Sequence, residues 1–172
     1  MRGAGEESPG PKPEVRAERG SIRPPPDPSD VAASLHARAV AVYEEGGRER
    51  ARATCRRALR LMERAIGPQH PDVAAILNSL AAIAQDRGEY GEAEGLLVSG
   101  YEGMRERQDQ VRFPNKVLTE TLQNLIQLFE ATGRAEKAAE CKTKLAVVQA
   151  AGPKGKPAWP KLFSNDQAGV DH

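Results

Sequence analysis

Leu77-Asn78-Ser79-Leu80-Ala81, followed seven residues later by Gly88-Glu89-Tyr90-Gly91-Glu92-Ala93-Glu94, is the stretch from which the fold is read. Its first part sets apolar side chains at three- and four-residue spacing, the period of a helix with one apolar face. Gly88 ends that helix, because helices commonly stop on a residue with positive φ, which glycine adopts without strain. A second helix follows at once. Shifted upstream by 42 residues, the pattern recurs: Asp72, Val73, Ala74, Ala75 and Leu77 fall on Asp30, Val31, Ala32, Ala33 and Leu35. Ala81, Gly88, Ala93 and Met104 fall on Ala39, Gly46, Ala51 and Met62, making nine identities in one register over a 37-residue overlap. A downstream shift of 45 carries Leu77, Leu80, Gly88 and Ala93 onto Leu122, Leu125, Gly133 and Ala138, with three added residues near Pro114. Self-similarity at such a period marks stacked supersecondary units.

Working outward, breaks at Gly46-Gly47, Gly67-Pro68, Gly88, around Pro114 and at Gly133 cut the middle of the chain into six segments of helical length. The spacing predicts helices over about 30–45, 48–66, 72–87, 90–107, 116–132 and 134–150, with Ser29/Asp30 and Pro71-Asp72 as start signals. The recurring residues have physical jobs. Glycines close the first helix of each pair, the alanines five residues later sit where helices approach most closely, and leucines fill the space between neighbours. One helix pair cannot hide its own apolar faces, whereas a stack can.

The central unit resembles a tetratricopeptide repeat. Arg57-Ala58-Leu59 through Ile66-Gly67-Pro68-Gln69-His70-Pro71-Asp72-Val73 resembles the 42-residue variety found in kinesin light chains. The resemblance covers about residues 30–150. It implies an all-α fold: a right-handed α-α superhelix, or solenoid, of three helix-turn-helix repeats (about 30–71, 72–115 and 116–150) within a domain spanning 29–151. The first unit departs from the pattern, with Arg38 in place of leucine and Arg48 in place of the aromatic present as Tyr90. The third lacks the Gly-Pro-x-His-Pro linker. Gly100 and Gly103 weaken the second helix of unit two, since a mid-helix glycine costs about 1 kcal/mol against alanine.

In this family the first helices of successive pairs line a concave groove that holds an extended peptide or a helix. Carried over by alignment, the groove rows are His36, Asn78 and Gln123; Val40, Ala82 and Gln127; Tyr43, Gln85 and Glu130; and Ala33, Ala75 and Glu120. Asn78 is the foremost candidate, because an amide both donates and accepts. The paired cations of a carboxylate clamp are missing from these rows, which argues against recognition of an acidic C-terminus. The resemblance therefore implies a protein-protein interaction scaffold, with another protein as partner and no enzymatic activity.

Other features bound the function. The net charge is +1 and aromatics are 4% of residues, so no strong field draws the chain to nucleic acid or membrane, and the core is aliphatic. No run approaches the ~20 apolar residues of a bilayer-crossing helix. The first residues have no apolar run of a signal peptide. Cys55 and Cys141 lie 86 residues apart, in no metal or redox spacing. Cys55 reads as a buried small hydrophobe and Cys141 as the same or partly exposed, in a reducing, cytoplasmic compartment. His36, His70 and His172 form no zinc pattern, and no nucleophile–base pair or phosphate-cradling loop is present, so neither cofactor nor metal is expected.

Residues 48–64 carry seven arginines against two glutamates. A basic helix of this kind binds phosphates in nucleic-acid proteins, which is the alternative reading. The matching helix at 89–106 carries five glutamates against one arginine, so complementary faces within one molecule account for the charges, and this reading is preferred. Residues 1–28 and 152–172 are proline-rich and read as disordered tails. Within the second, Trp159-Pro160-Lys161-Leu162-Phe163 is a candidate docking motif. It covers the exposed end of the last helix, enters the groove, or has no role; self-association through an uncapped last repeat is the related expectation.

Overall fold

The computed structural model describes residues 24–107 and 116–150. These form α1 (Pro28–Glu44), α2 (Arg48–Ile66), α3 (Pro71–Asp86), α4 (Tyr90–Glu106), α5 (Lys116–Ala131) and α6 (Ala135–Ala150), with no strand among the described residues. Each helix lies within two residues of its expected span. Most of both tails, the Pro114 linker and the motif at 159–163 lie outside the described residues. Of the first tail, Pro24–Asp27 is exposed and without regular structure, and Pro28 already belongs to α1.

Local chemistry sets the helix ends. Asp27, two residues before the expected Ser29, caps α1 by accepting from the Ser29 backbone N–H at 2.8 Å. The hydrogen bonds donated by the Ser29 hydroxyl and by its backbone N–H hold the Asp27 carboxyl below the usual carboxylate range. His70 caps α3: its Nδ1 accepts from the Asp72 backbone N–H at 3.1 Å, while Pro71 occupies the first turn, where its missing donor costs nothing. Gly46, Gly88 and Gly133 all have positive φ, as the repeat register requires.

Packing follows chain order. Each helix packs most extensively on its hairpin partner, α1 with α2, α3 with α4 and α5 with α6. The hairpins then stack through α2–α3, α1–α3, α4–α5 and α3–α5. The alanines at the closest approach, Ala51, Ala93 and Ala138, are buried. α3 is the pivot. Val73, Ile76, Leu77, Leu80 and Ile83 join one core with α1 and α2, while Ala74, Ala81 and Ala84 join a second with α4, α5 and α6. Fully burying a leucine contributes about 1.5–3 kcal/mol, so these two clusters are the main driving force.

Two departures from strict repetition are informative. In α4, Gly100 and Gly103 do not break the helix. A Cβ at Gly103 would stand 3.3 Å from the Pro68 carbonyl oxygen and the Gln69 Cα, so the missing side chain lets the inter-hairpin linker lie directly against α4. In α6 the buried stripe is Ala138, Cys141, Lys144 and Val148, one position earlier after Ala138 than the α4 stripe of Ala93, Leu97, Gly100 and Met104. α6 packs only on α5 among the described helices, so it turns to suit that single neighbour. Lys144 is 6% exposed there and pairs with Glu140, as a buried ammonium must.

Candidate peptide groove

The rows expected to line a groove belong to α1, α3 and α5, the first helices of the three hairpins, which contact one another in order. On α3 and α5 most residues flanking these positions are buried, whereas on α1 only Ala32 and Ala39 are buried. Val40 is 38% exposed, Ala82 and Gln85 are half-buried, and Gln123, Gln127 and Glu130 are exposed. Glu130 is held by Lys142 of α6 at 2.6 Å.

The structure brings some of these residues together. Val40, Tyr43 and Ala82 line one mostly apolar cleft of about 250 Å³ between α1 and α3, with Ala39, Ser79 and Ile83. His36 and Val40 line a second cleft beside it, with Ala33, Met62 and Ala75. Between α1 and α3 the His36 Nε2 lies 2.8 Å from the Ser79 Oγ, and the Tyr43 hydroxyl donates to Asp86. Burial holds the His36 imidazole below its ordinary pKa, although the charge of Asp72 works in the opposite direction. For Tyr43, the hydrogen bond to Asp86 raises the phenol, as do partial burial and the Asp86 charge. Gln123 and Gln127 line neither cleft.

Asn78 is placed differently from its neighbours in the row. It is 7% exposed, its Oδ1 accepts from the Thr121 hydroxyl at 3.0 Å, and its amide reaches the Val117 carbonyl at 3.5 Å. The side chain is thus engaged in the α3–α5 seam. Sequence reasoning missed Thr121 and Ser79. Each is a small hydroxyl within two residues of an aligned row position, and that adjacency was the available signal.

Charge complementarity between hairpins is present as the charge pattern implied. The backbones of α2 and α4 stay apart, and long side chains span the gap. Arg52 reaches Glu89 at 3.0 Å and Glu92 at 2.6 Å, and Arg56 reaches Glu92 at 3.1 Å. Arg87 pairs with Glu49 and with Glu89. The theme continues one hairpin on, where Glu94 meets Arg134 at 2.5 Å and Lys137 at 3.3 Å. Burial raises the Glu94 carboxyl, but the hydrogen bond and charge of Arg134, aided by Lys137, outweigh it and leave the pKa lowered. The same two cations stand over the Phe129 ring, at 4.7 Å and 5.5 Å.

Among the described residues, no group of three or more His, Cys, Asp or Glu is placed to hold a metal ion, and no helix is long and apolar enough to cross a membrane. Cys55 and Cys141 are free and buried, and burial pushes each thiol up to about 11. Such thiols are poor nucleophiles.

Helical hairpins repeating in chain order, with glycine and alanine in register, define a helical-repeat solenoid. Residues 30–106, which hold α1 to α4, match the family model of the tetratricopeptide repeat, and this supports a tetratricopeptide-repeat protein. The α5–α6 hairpin continues the architecture beyond the matched residues. A comparison with curated proteins finds no match.

Proposed function

We propose that this chain is a protein-protein interaction scaffold that binds a peptide or helix of another protein along the shared face of α1, α3 and α5. The observation that carries the reading is the apolar cleft between α1 and α3, walled by Val40, Tyr43, Ala82 and Ile83 on a family architecture that typically binds proteins. An apolar guest side chain fills that cleft, and Gln123 and Gln127 offer donors and acceptors to the guest backbone farther along. Asn78 serves by fixing the α3–α5 angle. The 42-residue spacing and the Gly67–Asp72 linker favour the kinesin light chain-like repeat type. Free, buried Cys55 and Cys141 suit a cytoplasmic compartment. Self-association through α6 rests on Val147, which is 43% exposed.

The test is selection of peptides from a displayed library on the full chain. Selected peptides bind the wild-type protein and lose about tenfold or more in affinity for Ala82→Glu, which puts a charge into the apolar cleft. Arg57→Glu, on another face, leaves their affinity unchanged. The reading is overturned if no peptide is selected, or if the selected peptides bind a folded Ala82→Glu protein equally well.

A further inference from the structure

The outer face of the first hairpin, on the side away from α3, carries a second surface that shares no residue with the α1–α3 clefts. Leu35, Arg38 and Val42 of α1 and Arg50, Thr54 and Arg57 of α2 line an open cleft of about 340 Å³ there. The three guanidiniums are exposed, and none makes an ion pair among the described residues. Arg50, Arg57 and Arg64 recur every seventh residue, about 10.5 Å apart along one side of α2. Leu35 and Val42 sit half-buried between the cations.

Register explains what such a face is built to meet. Leu35 and Arg38 hold the positions that Leu77 and Leu80 hold in α3. There both leucines are buried in the core shared with α1 and α2, that is, against the preceding hairpin. The outer face of the first hairpin is therefore the same docking face with arginine at one apolar position. The other side of α2 shows what its arginines accept. Arg52 and Arg56 are satisfied by Glu89 and Glu92 of α4, a helix with carboxylates on the side toward them.

From this we infer that the outer face of the first hairpin binds an acidic amphipathic helix of a partner protein. Its leucines would cover Leu35 and Val42, and its carboxylates would pair with Arg38, Arg50 and Arg57. The chain's own remaining segments do not supply the charge: residues 1–23 hold five Lys/Arg against four Glu, and 151–172 hold three Lys against two Asp. Apolar groups interleaved with the cations fit a protein helix better than a phosphate backbone, which would leave them uncovered.

The experiment uses the full chain and a fluorescein-labelled synthetic helix with glutamate and leucine on one face, read by anisotropy. A lysine-for-glutamate version and a duplex DNA serve as the other arms. The acidic helix binds, its affinity falls as salt rises, and Arg50→Glu/Arg57→Glu weakens it by about tenfold or more. The melting temperature of that variant shows that it folds, as exposed positions permit. Ala82→Glu leaves binding unchanged, which separates this surface from the groove. The inference is overturned by any of three results: no binding of the acidic helix, equal binding to the folded double variant, or duplex DNA bound as tightly as the acidic helix.

Discussion

At position 36 a histidine sits half-buried between α1 and α3 with Ser79 as its hydrogen-bond partner. An unfolded chain takes up the imidazole proton near pH 6.5. In the folded protein burial sets that pKa lower. Between the two values the unfolded chain binds more protons, so acidification through pH 6.5 removes stability until the folded pKa is passed. The melting temperature therefore falls as pH drops from about 7 to 5.5, and His36→Gln, which keeps a hydrogen-bonding group toward Ser79, loses that part of the slope. An unchanged slope in the variant would refute the assignment. Asn78 teaches a related lesson. Alignment put it in a row with His36 and Gln123, and nothing in that alignment revealed its burial. The third hairpin follows a longer linker, and its docking brings Thr121 rather than a row member against the amide. Periodicity identifies which face a residue occupies, but not how closely the next hairpin covers it.

Helix positions were legible from apolar spacing, and the ends of α1 and α3 because each is set locally, by a cap at the start and a glycine just past the finish. The cap of α1 was read two residues late because Asp27, Ser29 and Asp30 are all good cap residues and only the hydrogen bond from Ser29 decides among them. The salt links were legible too, since blocks of opposite sign lay at matched repeat positions. The tilt of the α6 stripe and the burial of Lys144 were not, because both come from the neighbours a helix has in space. α4 offers a test at this scale. It carries Gly91, Gly95, Gly100 and Gly103, yet they differ in surroundings. A Cβ at Gly95 meets nothing within 4 Å, whereas one at Gly103 meets linker backbone at 3.3 Å. Gly95→Ala is therefore expected to stabilise the protein by about 1 kcal/mol, the difference in helix propensity. Gly103→Ala gains less or loses stability, because the linker backbone must move. Urea titration of the two variants checks the contrast, and equal gains would refute the close-approach reading.

For the molecule as a whole, the hairpins form a line in which contacts run only between sequence neighbours, the property that makes repeat arrays nearly one-dimensional. Two surfaces follow from that layout: the face of α1, α3 and α5 along the array, and the arginine-bearing end. Their clefts share no lining residue, so a guest in the proposed groove leaves the proposed helix site open.

One consequence concerns α3, which lends one side to each of the two cores. Neither outer hairpin can peel away without stripping one flank of this helix, so the outer pairs are energetically linked through it although they scarcely touch. In deuterated solvent the slowest amides are expected around Ile76–Ile83, with rates that approach those of global opening. Faster exchange there than in α1 or α6 would show that the middle of the array opens more readily than its ends and is no keystone.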